Sequence, residues 1–139
     1  MSDDVSITKK ERDCLVTLGK HRDSKFPFRL IDLSKDMEIK PPTALNLIKR
    51  LEKKNLVIRE KGMIKLTNSG DHRFMGVEET HRVFETLMVK YGLDVDTACT
   101  LSENLDYLLK HEDIDRMFDI MGKPKKCPHG IDIVLSHQS

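Results

Sequence analysis

Two adjacent prolines, Pro41 and Pro42, constrain this chain more than any other feature. Neither can donate a backbone N–H, so neither suits a helix interior or a central strand. Both suit the first turn of a helix, where the amides lack intrahelical partners in any case. Thr43 adds a side-chain oxygen beside those amides, so a helix starts here. Beyond it Leu45, Ile48, Leu51 and Leu56 recur at near-helical spacing and are expected inward, with Asn46, Lys49, Arg50, Lys53 and Lys54 outside. Two alternating runs follow, Leu56 to Glu60 and Met63 to Thr67, joined by Lys61-Gly62, which reads as a tight hairpin.

The flanking segments complete a pattern. Upstream, Thr8 to about His21 reads as a helix with Leu15 and Leu18 on its apolar side. A bend from Asp23 to Pro27 ends it, and Arg29 to Met37 gives a second short helix. Helix, turn, helix and hairpin is the order of a winged helix-turn-helix, whose second helix enters the major groove of DNA. Downstream, Thr67-Asn68-Ser69-Gly70 offers capping side chains for a long helix that runs to Tyr91 and stops at Gly92. Asp94 to about Lys110 and Glu112 to Met121 read as further helices, and Ile131 to Leu135 as a short extended stretch. The long helix carries Phe74, Val77, Val83, Phe84, Leu87, Met88 and Tyr91, more apolar surface than one stripe needs, so a second copy of the chain is expected against it. The fold class expected is mainly α, a winged helix-turn-helix domain over residues 1–70 followed by an α-helical dimerisation domain over residues 71–139.

A formal net charge of +1 argues neither for nor against nucleic acid until its distribution is read. Lys40, Lys49, Arg50, Lys53, Lys54, Arg59 and Lys61 crowd the first region against Glu52 and Glu60. From Asp94 to Met121 the balance reverses, with Asp94, Asp96, Glu103, Asp106, Glu112, Asp113, Asp115 and Asp119 against Lys110 and Arg116. One region suits phosphate and the other suits cations. Thr43, Lys49, Arg50, Arg59 and Lys61 are the candidates for phosphate contacts. Asn46 can pair with the edge of adenine, Pro42 can meet a thymine methyl, and Lys40 can reach a base or a phosphate.

With 38% hydrophobic and 34% charged residues, no long apolar run and no charged-then-apolar leader, the chain reads as a cytoplasmic protein with no membrane partner. Cys14, Cys99 and Cys127 are too few and too scattered for a disulfide framework. No nucleophile stands beside a base, and neither a glycine-rich phosphate loop nor an HExxH motif occurs, which argues against an enzyme.

Arg29-Leu30-Ile31-Asp32-Leu33-Ser34, Lys40-Pro41-Pro42-Thr43, Ile48 to Val57, Ile64-Lys65-Leu66-Thr67 with Gly70, His81-Arg82 with Glu85, Tyr91-Gly92-Leu93-Asp94 and Cys127-Pro128-His129-Gly130 together carry a resemblance. From Thr8 to Ile133 the chain resembles the diphtheria toxin repressor family of metal-dependent transcriptional regulators, in the short two-domain form typified by the manganese transport regulator. The resemblance implies a homodimer that binds a palindromic DNA operator when a divalent transition metal, usually iron or manganese, joins the first helix to the dimerisation domain. Carried over by position, it implies Asp13, His81, Glu85, Glu103 and Asp106 as metal ligands. Tyr107 stands where the family has a histidine, Cys99 where a second-metal histidine stands, and Val16 where manganese-type members have a glutamate.

The residues themselves support part of that set. His81 and Glu85 lie four apart on a helix and face one way, and Cys99, Glu103 and Asp106 are expected to share a face of the next helix. Oxygen donors with one imidazole and one thiolate suit Fe²⁺ or Mn²⁺ and also admit Zn²⁺. A solvated acidic helix face is the other reading of the same spacing. Cys127 and His129, two apart in a proline-bearing turn, fall two ligands short of a zinc site and read as turn structure. The preferred function is a metal-responsive DNA-binding regulator, a repressor of iron or manganese homeostasis genes. The alternatives are a winged-helix regulator without metal control and a winged-helix module for protein contact.

Overall fold

The first helix begins with a reciprocal cap. Thr8 Oγ1 accepts from the Glu11 amide at 3.2 Å, and the Glu11 carboxylate accepts from the Thr8 amide at 2.8 Å, so two otherwise unpaired amides are satisfied together. A computed structural model describes residues 5–135. Its element order is α1 (Lys9–Lys20), α2 (Leu30–Met37), α3 (Pro41–Lys53), β1 (Val57–Glu60), β2 (Met63–Leu66), α4 (Asn68–Lys90), α5 (Val95–Glu103) and α6 (His111–Ile120). Contacts divide the chain into two compact units that meet within α4, at Phe74 and Met75.

The first unit is the expected winged helix-turn-helix. Pro41 and Pro42 occupy the opening positions of α3. Asn55, with φ of 60°, takes the left-handed conformation that ends it, and the Leu56 amide returns to the Leu51 carbonyl at 3.0 Å. Lys61 and Gly62 both have positive φ, 52° and 80°, the pairing that a two-residue hairpin needs to match the strand twist. Its register pairs Val57 with Leu66 and Glu60 with Met63. Phe28 and Arg29 extend this sheet, since the Ile64 amide bonds the Phe28 carbonyl at 2.8 Å and Arg29 bridges Met63. Gly70 lies against the Leu56 carbonyl so closely that no side chain fits there.

Ile48, Leu51 and Leu56 are buried as expected, and the inward face of α3 differs from the expected one only at its start. Ala44, Leu47, Ile48 and Leu51 are buried, while Leu45 is only half-buried. The choice arises because apolar residues fill both 44–45 and 47–48. The i, i+3, i+4, i+7 seam through Ala44 is the one that meets Leu15, Leu18 and Leu33 in this unit's core. Burying each leucine there contributes about 2 kcal/mol.

In the second unit, Val83, Ile114, Phe118, Cys127, Ile133 and Leu135 form the core, with Phe84, Leu109, Met117 and Met121 against it. Here α5 stops at Glu103, well short of the Lys110 expected. Asn104 terminates it by turning its side-chain amide back to the Thr100 carbonyl at 2.9 Å, and turns follow. Ile131 to Leu135 forms no strand. A single bridge, Lys126 to Asp132, ties this tail back on itself, and within it Cys127 to Gly130 closes as a turn, the Gly130 amide bonding the Cys127 carbonyl at 2.8 Å. No described helix is long and apolar enough to cross a membrane.

Candidate metal centre and nucleic-acid face

A buried carboxylate organises the second unit. Glu85 is 1% exposed on α4, one turn after His81, so the helix periodicity alone sets their side chains together. His81 Nε2 lies 3.2 Å from Glu85 Oε2 and 3.6 Å from Cys99 Sγ on α5. On the other side, His129 Nδ1 lies 2.8 Å from Glu85 Oε1. Two groups of donor atoms therefore share Glu85, namely His81, Glu85 and Cys99, and Glu85, Cys127 and His129, each within 4.8 Å among themselves.

Asp106 plays a different part from the one its position on a helix face would give. It follows the end of α5, and its buried carboxylate lies 3.1 Å from His81 Nδ1. In the neutral tautomer with its proton on Nδ1 facing Asp106, the lone pair of Nε2 would face Glu85 and Cys99, the arrangement by which a carboxylate orients a ligating imidazole. Burial opposes charge on His81, but the hydrogen bond and charge of Asp106, then Glu85 and Glu78, outweigh it and raise its pKa. Burial, then the charges of Glu85 and Glu103, push the Cys99 thiol up. Both shifts favour the protonated forms, so a cation taking Nε2 or Sγ would compete with protons there.

These residues fit a cation on an independent observation. Glu85 Oε2 is buried and accepts no well-formed hydrogen bond, with His81 Nε2 as its neighbour at 3.2 Å, and an unsatisfied charged oxygen costs about 1–3 kcal/mol or more unless something else neutralises it. Imidazole, thiol and carboxylate are the donors that divalent transition metals take.

Of the other positions expected in a metal set, Glu103 ends α5, half-buried and outside both groups. Asp13 lies on α1 in the first unit, where Lys9 Nζ reaches its carboxylate at 2.5 Å and Arg12 Nη1 at 3.1 Å. Cys127 and His129 enter the cluster although spacing assigned them to a turn. Their partner is Glu85, 44 residues before His129, and only the folded tail reveals it.

Lys40, Pro42, Thr43, Asn46, Lys49, Arg50, Arg59 and Lys61 are all exposed in the first unit, but they differ in freedom. Arg59 makes a two-pronged ion pair with Glu52, at 3.1 and 3.0 Å. Arg50 donates to Thr8 Oγ1 at 3.1 Å and stands 3.7 Å from Glu11. Among the described residues Lys40, Lys49 and Lys61 have no ion pair and leave their ammonium groups in solvent.

Comparison with known proteins agrees with both halves. Residues 67–135 match the family described as iron dependent repressor, metal binding and dimerisation domain, and residues 7–62 match the MarR family. An HTH-type transcriptional regulator of Aeropyrum pernix is 26% identical over 107 residues, 76% of this chain and 59% of that protein, so the chain spans under two thirds of that relative's length. A hypothetical protein of Sulfolobus solfataricus is 34% identical with a TM-score of 0.81, covering 93% of this chain and 100% of that one. A manganese-dependent transcriptional repressor solved with manganese shares the fold at 24% identity and a TM-score of 0.75, over 91% of this chain and 59% of that one. A winged reader unit followed by this metal-binding and dimerisation domain places the chain in the diphtheria toxin repressor family of metal-dependent transcriptional regulators.

Proposed function

We propose that this chain is a homodimeric repressor that binds a palindromic operator when a divalent transition metal occupies the Glu85 cluster, and that it controls genes of metal homeostasis. The observation that carries this reading is that two trios of metal donors, each with one imidazole and one thiol, share the buried Glu85 carboxylate in the unit that matches a metal-binding domain. A resident cation would supply the charge that Glu85 lacks and would bind His81, Glu85 and Cys99, or Glu85, Cys127 and His129. Iron and manganese are the ions named among the similar proteins. The one thiol in either trio favours Fe²⁺ or Zn²⁺ over Mn²⁺, which prefers oxygen.

For DNA, α3 presents Pro42, Thr43 and Asn46 towards bases, while Lys40, Lys49 and Lys61 supply charge for phosphate. Tyr91, Leu108 and Ile120 are 78%, 65% and 80% exposed in the second unit, the kind of apolar surface that a second copy covers. Dimerisation would pair two reader helices for half-sites about one DNA turn, ~34 Å, apart. Within the second unit, Glu103 and Asp106 would offer further oxygen donors of the family type, with Asp106 also steering His81.

The test is an operator-selection and titration experiment at fixed salt with Fe²⁺, Mn²⁺, Zn²⁺ or chelator. One metal is expected to tighten binding at least tenfold, about 1.4 kcal/mol of coupling, and Glu85→Ala is expected to abolish that gain. Equal affinity in metal and chelator would leave a winged-helix regulator without metal control.

A further inference from the structure

We propose that Glu11 is a positioning residue for α3 that withdraws Lys54 and Arg50 from the DNA backbone and uses them to fix the helix, an inference that rests on the DNA-binding reading. Glu11 is 1% exposed on α1. Its Oε1 accepts from Lys54 Nζ at 2.9 Å as well as from the Thr8 amide, and Arg50 Nε stands 3.7 Å from Oε2. Lys54 Nζ also donates to the Ser6 carbonyl at 2.8 Å, and Arg50 Nη2 to Thr8 Oγ1 at 3.1 Å. The start of α1 thus grips the last turns of α3 through two cations that sequence alone assigns to the phosphate-binding face.

Lys54 cannot reach a phosphate without exposing a buried carboxylate that has lost its closest cation, and that penalty is steep in a poorly solvated place. Counterion release therefore falls to Lys40, Lys49, Lys53 and Lys61, whose ammonium groups are free of ion pairs among the described residues. A rigid α3 also favours base reading by Asn46, because orientation is fixed before contact.

The experiment is fluorescence anisotropy of a labelled random-sequence duplex at stepped KCl concentrations with the full chain, Glu11→Gln, Lys54→Met and Lys49→Ala. Glu11→Gln releases Lys54, so binding at low salt should tighten and the log–log salt slope should steepen by about 0.9, one phosphate's worth. Lys54→Met should keep the parent slope, and Lys49→Ala should flatten it by about 0.9. A merely structural role for Glu11 would weaken binding without steepening the slope. That result, or a slope flattened equally by Lys54→Met and Lys49→Ala, overturns the proposal. If Glu11→Gln fails to fold, the Lys54→Met comparison decides alone. A folded parent protein with no salt-dependent binding would instead overturn the DNA-binding reading on which the inference stands.

Discussion

Glu11 and Glu85 are equally buried, 1% exposed each, and both sit on helices, yet the two units of this protein satisfy them in opposite ways. Each has an Oε2 that accepts no hydrogen bond, but Glu11 draws its compensation from the chain itself, with Lys54 on Oε1 and Arg50 3.7 Å from Oε2. Burial raises its pKa, but hydrogen bonds from Lys54 and Thr8 and the charge of Lys54 outweigh that and hold it below the usual carboxylate range. Glu85 is surrounded by His81, His129, Cys99 and Cys127, all of them also metal donors, and no lysine or arginine is paired with it among the described residues. A carboxylate with its own cation is a structural tie. One ringed by imidazoles and thiols is the place proposed for a cation from solution.

That contrast can be broken at either end. The largest expected effect is on metal-linked stability. A saturating divalent ion at one hundred times its dissociation constant should stabilise the parent by about 2.7 kcal/mol, and Glu85→Ala should erase this in thermal melts. Glu11→Gln should leave it in place. Next, Lys54→Met should cost about 2 kcal/mol of folding stability, the loss of a hydrogen bond to a buried charge, in denaturant titrations with or without metal.

The pH dependence sharpens the contrast further. His81 has a raised pKa in the folded chain, so in chelator its protonated contacts with Asp106 and Glu85 stabilise fully below the unfolded value of 6.5 and fade as pH rises through the higher folded value. Metal needs the neutral ring, so its stabilising increment should grow over the same range. Melts from about pH 5.5 to about pH 8.5 should therefore show chelated and metal-loaded proteins diverging. The smallest effect concerns Cys14, whose thiol is pushed up to about 12 by burial and by the charges of Glu11 and Asp13. Alkylation should spare Cys14 in the native protein, whereas Cys127 and Cys99 should be protected by metal.

Local chemistry made the reader unit legible. Two prolines, the Lys61-Gly62 turn and the caps each act within a few residues, so spacing exposes them. The face of α3 was harder, because Ala44-Leu45 and Leu47-Ile48 offer two overlapping stripes, and the core decides between them. The same distinction governs the candidate site. His81 and Glu85 are one helical turn apart and visible as a pair. The end of α5 at Asn104 hides in a run, Leu105 to Leu109, whose pattern continues a helix. Asp106 consequently approaches His81 from a turn, and the Cys127-Pro128-His129-Gly130 turn gains its meaning only from a tertiary contact with Glu85.

The central claim is that the Glu85 cluster binds a divalent metal through thiolates, and Co²⁺ titration followed by electronic absorption tests it most directly. A sulfur-to-cobalt charge-transfer band should appear on titration, weaken in Cys127→Ser and vanish in Glu85→Ala while Glu11→Gln retains it. A spectrum without that band, or one unchanged in both Cys127→Ser and Glu85→Ala, would contradict the account.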